Sequence, residues 1–396
     1  MLRLFFTMIA IGLASGSMRA DEVQRLCQDN TAFAVDLYHQ LSGKEGNLFF
    51  SPYSISTALA MTHAGARGET ATQMAQALHF SLSQDKLSGV FADLQSHLAE
   101  VQGEDKVTLA VANSIWPSDR YKLLDHYIGL LKSDYGVAVT PLDYSKTEAA
   151  RGTINQWVES KTQDKIKDII GKGIVTPDTE LTLVNAIYFY GKWQKPFQSK
   201  DTFAGNFQIS PGHGEDVPMM NQKGAFSYAD LGAVQLLELP YQGGELSMLI
   251  VLPKSSGGLK EIEVGLSPEI LSKWRSKLAP TQVRMLLPKF KITWGENLNV
   301  PLQALGMRDA FDAKADFSGI DGNPHGLSIG LVIHKAFVDV KEEGTEAAAA
   351  TVVVLPGAVA PVGPLFAADH PFLFLIQEKK TGSILFMGRV NDPKAD

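Results

Sequence analysis

From Leu181 onward the chain is a succession of short, apolar, β-branched runs: Leu181–Tyr190, Leu246–Leu252, Val283–Ile292, Leu331–Val340, Pro371–Ile376 and Ile384–Met387. Runs of this length and composition, set between turn residues, predict buried strands. Upstream the period changes. Val23, Leu26, Ala34, Leu37 and Leu41 recur at helical spacing and predict a helix over 22–42. Ser51-Pro52 opens a second helix through Ala64, since proline is favoured in a first turn. Glu148 to Ile170 reads as a third, with Ile154, Trp157, Val158, Ile166 and Ile169 on its apolar side. No repeat recurs at a fixed period, no Gly/Ser-rich linker divides the chain, and helices and strands alternate too irregularly for a βαβ array. The expectation is one α+β domain with large sheets.

A length of 396 residues and a hydrophobic content of 45% suffice for an extensive core. The formal charge of −7 offers no basic surface for nucleic acid. Arg3 is followed by an apolar stretch, Leu4 to Ala14, about half as long as a membrane span requires. Small residues follow it, so 1–20 reads as a signal peptide cleaved between 14 and 20, with a secreted domain over 21–396. No later segment is apolar for long enough to span a bilayer. Cys27 is alone, so packing rather than an internal disulfide must stabilise the domain, and the thiol is read as buried or free.

Candidate chemistry is sparse. Gly326-Leu327-Ser328-Ile329-Gly330 matches the G-x-S-x-G pattern of a hydrolase nucleophile elbow, and Asp339 and His370 follow in triad order. An elbow needs a strand before it and a helix after it. Here a turn, Asp321 to His325, precedes and a strand follows, so the context argues against an enzyme. The nine histidines show no metal-ligand spacing, and no phosphate-binding loop occurs. Neither a metal nor a cofactor is expected.

The unusual segment is Lys341 to Ala368, which carries no charge from Ala347 to its end. Left exposed, such β-prone sequence invites aggregation. Pro356, Pro361 and Pro364 nevertheless keep its distal half from forming a central strand or helix. A long connection of this kind inside a domain is usually functional. An Ala-rich helix over Thr345–Leu355 is opposed by three successive valines, and a linker by the lack of polar residues.

At this segment the sequence closely resembles the serpins, the family of serine protease inhibitors. The resemblance rests on Glu342-Glu-Gly-Thr-Glu-Ala-Ala-Ala-Ala-Thr351, Asn47-Leu-Phe-Phe-Ser-Pro-Tyr-Ser54, Leu183-Val-Asn-Ala-Ile-Tyr-Phe189 with Trp193, Leu287-Pro-Lys-Phe290, Ala368-Asp-His-Pro-Phe-Leu-Phe374 and Leu385-Phe-Met-Gly-Arg389. It implies the serpin fold, with three β-sheets, about nine helices and an exposed reactive-centre loop over 342–366. It also implies an inhibitor rather than an enzyme, acting as a monomer that captures one serine protease in a 1:1 covalent complex. The protease serine forms an ester with the loop, and the cut loop then enters the main sheet, an established example of strand addition in this family.

The resemblance assigns a hinge to Glu342, Glu343, Gly344, Thr345, Glu346, Ala347, Ala348, Ala349, Ala350 and Thr351. It places the attacked bond at Ala358-Val359, with Gly357-Ala358 as the fallback. A small side chain there suits an elastase-like pocket rather than a trypsin-like one. His334, Ser51, Ser54 and Asn185 resemble the family's cluster beneath the parting strands, the shutter, against the simpler reading of His334 as a lone core histidine. Glu342 and Lys289 resemble an ion pair at the top of the sheet, the breach, with Trp193 beside it. Between Ser81 and Glu100 the chain has only Lys86 among several acids, so heparin activation is not expected.

Insertion as a strand imposes a period of two. Counted from the hinge, Thr345, Ala347, Ala349, Thr351, Val353 and Leu355 would face inward, all small or apolar. Glu346, Ala348, Ala350, Val352 and Val354 would face outward. That agreement favours an inhibitor over a non-inhibitory relative serving as a binding protein or chaperone.

Overall fold

The Ser51 hydroxyl accepts a hydrogen bond from the Ser54 amide at 3.1 Å and so caps the helix Pro52–His63. Every residue of that helix is buried. Its small and hydroxylated side chains (Ser54, Ser56, Thr57, Ala58, Ala60) permit close approach on all sides, and so it runs through the interior. The computed structural model describes residues 2–103, 106–345 and 363–395. Its first helix spans Leu2–Leu41, longer than the periodicity predicts, and buries Leu26, Phe33, Leu37 and Leu41. Burial pushes the Cys27 thiol up to about 11, which makes it a poor nucleophile.

Among the described residues, strands form two hydrogen-bonded sheets. One has five strands in the order Val107–Pro117, Leu181–Lys192, Gly344–Thr345, Leu331–Val340, Phe290–Asn297. The other has nine. Two of the three expected sheets are joined into one network by a long strand, His213–Asp230, whose first part pairs with Phe203–Ser210 and whose later part pairs with Ala279–Pro288 and Val234–Pro240. Continuous backbone pairing along that strand joins what would otherwise be two sheets.

Two predicted elements change. The 283–292 run is two strands, Ala279–Pro288 and Phe290–Asn297, which belong to different sheets and meet at Lys289. The helix expected over 148–170 ends at Lys161. Gln163 and Asp164 take positive φ values of 51° and 59°, which no helix propagates. Ile166, Ile169 and Ile170 are buried all the same. Asn155 fastens their segment to the helix, donating to the Ile170 carbonyl at 3.0 Å and accepting from its amide at 2.9 Å.

The five-stranded sheet therefore has apolar cover on both faces. Leu183, Ile187 and Phe189 with Val332, Ala336 and Val338 face the main core. Val184, Ala186 and Tyr188 with Leu331, Ile333 and Phe337 lie beneath Ile154, Val158, Ile166 and Ile170. Among the described residues no helix is long and apolar enough to cross a membrane.

Candidate functional site at the seam of the main sheet

Strands 181–192 and 331–340 run parallel and pair directly from Thr182 with Leu331 up to Tyr188 with Phe337. Above that level they part, and Gly344-Thr345 occupies the opening. Thr345 pairs antiparallel with Gly191 on one side and with Val340 on the other. Glycine is required at 344, because a Cβ there would come within 2.1 Å of the Gly191 carbonyl oxygen. Thr345 is fully buried, and its hydroxyl meets the Tyr241 hydroxyl at 2.9 Å.

The same top end holds the residues just before the wedge. The Trp193 indole stacks on Tyr241 with ring centres 4.6 Å apart, and its Nε1 donates to the Lys341 carbonyl at 2.9 Å. Backbone amides of Trp193 and Phe197 donate to the carbonyls of Glu343 and Glu342 at 2.9 and 2.8 Å. The Glu342 carboxylate pairs with the Lys289 ammonium at 2.9 Å and accepts from the Thr202 hydroxyl at 3.0 Å. Burial acts to raise the Glu342 pKa, but Lys289, the residue's own amide and Thr202 outweigh it and hold the carboxyl below its usual range. Glu342 is buried, and Thr202 was missed by the sequence reading because it lies far away in the chain.

Lower down, Ser51, Ser54, Asn185 and His334 lie together, and Asn113 joins them. Asn113, Asn185 and His334 form one row across three adjacent strands, each paired with the next. The Ser51 amide donates to His334 Nε2 at 3.2 Å. That leaves the ring proton on Nδ1, which donates to Asn185 Oδ1. Asn185 Nδ2 in turn donates to Asn113 Oδ1 and to the Ser54 hydroxyl. Ser54 Oγ donates to Asn113 Oδ1 at 3.1 Å, and Ser51 Oγ donates to the Leu385 carbonyl at 2.6 Å. Complete burial lowers the His334 pKa to about 3, so the ring is neutral at physiological pH. Asn113 Nδ2 is buried without a hydrogen-bond partner among the described residues. One signal could have revealed Asn113: it is the one amide side chain within a mostly apolar run, Val107 to Pro117, that the sequence reading did not take as a strand.

The rival hydrolase constellation is not assembled. Ser328 donates to Glu180 at 2.7 Å, Asp339 pairs with Lys341, and His370 bonds Asp369 and the Pro253 carbonyl. Ser328 lies in the loop before strand 331–340 rather than on a strand-to-helix turn. Among the described residues no three His, Cys, Asp or Glu side chains gather in a metal-binding arrangement. The hinge residues Glu346 to Thr351 and the bond Ala358-Val359 lie outside the described residues.

Comparison with known proteins agrees with this architecture. The family described as "Serpin (serine protease inhibitor)" matches residues 28–393. Leukocyte elastase inhibitor A of Rattus norvegicus is 41% identical, over 94% of this chain and all of its own length. Serpin B4 of Homo sapiens is 39% identical, over 93% of this chain and 99% of its own. The crystal structure of Serpin48 from the insect Tenebrio molitor superposes with a TM-score of 0.84 at 33% identity, covering 93% of this chain and 98% of that one. A fold of this topology, a hinge wedged into the seam of its main sheet and a family match over nearly the whole chain lead to one conclusion: the protein belongs to the serpins, the serine protease inhibitors, and is not an enzyme.

Proposed function

We propose that the chain is an irreversible, suicide-substrate inhibitor of elastase-like serine proteases that traps its target by inserting the severed loop into the five-stranded sheet. The observation that carries this reading is the position of Thr345, already paired with strands on both sides at the head of a seam whose remaining length is closed.

Extending that register gives the rest. Each further loop residue would meet partners one position lower on each neighbour, so Ala347 would lie between Phe189 and Val338, and Val354 between Thr182 and Leu331. Inward residues from Ala347 to Val353 would enter the main core. Outward Val352 and Val354 would come to lie against Val184, Ile333 and Leu331, beneath Ile154 and Val158. This explains why the outward set turns apolar along the segment, a feature that insertion facing solvent would not require. One parallel seam would give way to two antiparallel ladders, the slightly more stable pairing per residue. Ordering each inserted residue costs about 1–2 kcal/mol, against ladder bonds of about 1 kcal/mol each and the burial of Val353 and Leu355. The drive must then come mainly from strain released in the five-stranded sheet.

In the chemical step the protease serine attacks the Ala358 carbonyl, its hydroxyl proton passing to the amine of Val359 as the peptide bond breaks. Water would complete turnover by hydrolysing the ester. Ten inserted residues move the ester about 34 Å along the sheet. Such a displacement pulls the catalytic groups out of line, and about 1 Å of misplacement can cost a hundredfold in rate. The small Ala358 side chain fits a shallow specificity pocket, and the name of the rat relative supports an elastase as target. The apolar stretch after Arg3, which precedes the family match, supports secretion.

Incubation with elastase followed by a denaturing gel tests the proposal. A stable complex of inhibitor and protease, with a released fragment beginning at Val359, is the expected result. Complete cleavage without any complex would overturn it.

A further inference from the structure

Away from the seam, a cleft of about 670 Å³ opens between the 231–234 turn, the end of strand Leu246–Pro253 and the helices Leu259–Val264 and Pro268–Arg275. Its apolar surface comes from Val234, Pro253, Ile262, Ile270 and Trp274. Ile270, Lys273 and Trp274 fall at i, i+3 and i+4 on the helix Pro268–Arg275 and Lys277 follows just past its C-terminal end, so this one segment supplies both apolar floor and cationic rim. Trp274 belongs to the main core and Ile262 and Ile270 pack against it, and the edges of these side chains floor the cleft.

The charges are unequal. Three lysines line the cleft, with Glu261 as its acid. Lys254 is engaged by Asp230 at 2.7 Å. Lys273 and Lys277 have no ion-pair partner among the described residues. Two uncompensated ammonium groups beside an apolar floor, on a chain whose net charge is −7, form a local site of opposite sign. A volume of this size takes a ligand of several hundred daltons.

We propose that this cleft binds an apolar carboxylate, a fatty or aryl acid, with its body against Ile262, Ile270 and Trp274 and its carboxylate between Lys273 and Lys277. The site is remote from the seam residues and does not depend on the protease-trapping reading.

The probe is 11-(dansylamino)undecanoate, titrated into the intact protein and followed by energy transfer from tryptophan. Saturable 1:1 binding is expected, weakened about 2–10-fold by Lys273→Gln with Lys277→Gln, by raised salt, and by methylation of the probe carboxylate. Trp274→Phe reduces the transfer while leaving the protein folded, and Ile270→Glu abolishes binding. Melting curves check the fold of each variant, and the yield of elastase complex stays that of wild type. The proposal is overturned by an absence of saturation below about 100 μM, by equal binding of acid and methyl ester, or by affinities the lysine variants leave unchanged. Capture of an apolar peptide instead of the acid likewise overturns the assigned ligand class.

Discussion

Thr345 and Tyr241 touch through their hydroxyls, 2.9 Å apart, in a site closed to solvent. The first inward residue of the hinge is thus docked before any protease arrives. Tyr241 stacks on Trp193, which binds the Lys341 carbonyl, so one aromatic pair fixes both the hinge and the strand end that leads into it.

Replacing Thr345 by arginine places a cation where Gly191, Val340 and Tyr241 leave only buried space. Burying it unpaired costs about 3–5 kcal/mol, so the arginine is expelled from the wedge in the intact protein and has to be buried for the loop to insert, which slows insertion below ester hydrolysis. Thr345→Arg should be cut by elastase as a substrate, with the stable complex lost from the gel. A wild-type yield of complex would contradict the insertion pathway.

Lys289→Met removes the cation beside the Glu342 carboxylate and leaves that group buried with only Thr202 and backbone to satisfy it. The expected loss is about 1–3 kcal/mol in urea unfolding, more than the ~0–1 kcal/mol typical of exposed pairs. An unchanged unfolding midpoint would show the pair to be energetically idle.

The His334 ring has a folded pKa of about 3, whereas an exposed histidine takes its proton near 6.5. Between those values the unfolded chain holds the extra proton, so stability rises with pH and is lost as pH falls from about 6.5 toward 3. His63, lowered by burial to about 4, acts in the same direction. Comparing unfolding free energies of wild type and His334→Gln from pH 7 to pH 4.5 isolates one proton. The variant's slope should be shallower by up to about 1.4 kcal/mol per pH unit. Equal slopes would mean that His334 is not held neutral.

Ser328 binds Glu180 through both hydroxyl and amide at 2.7 Å. Ser328→Ala should cost about 0.5–1.5 kcal/mol of stability and leave complex formation with elastase intact. Loss of a hydrolytic activity in this variant would revive the triad reading.

Much of the site was legible because its rules are local. Ser51-Pro52 announced the start of a helix, and the period-two alternation counted from Thr345 can be read without any neighbour. What escaped depends on neighbours distant in sequence. Asn113 acquires its meaning from pairing with Asn185, and Thr202 from reaching Glu342. The 203–230 hairpin was unread because Phe203–Ser210 is largely exposed, with Phe207 its one buried residue, and carries no continuous apolar run. The helix stop after Lys161 was missed because Ile166 and Ile169 continue the apolar spacing while the backbone at Gln163 and Asp164 turns away. Cover on the outer face of the seam followed from that same segment, and with it a reason for Val352 and Val354.

The most direct measurement is thermal unfolding before and after a non-target protease nicks the loop between Thr351 and Val359. If the freed strand fills the seam, the melting temperature rises by about 10 °C or more. A nicked protein that melts where the intact one does would contradict the account at its centre.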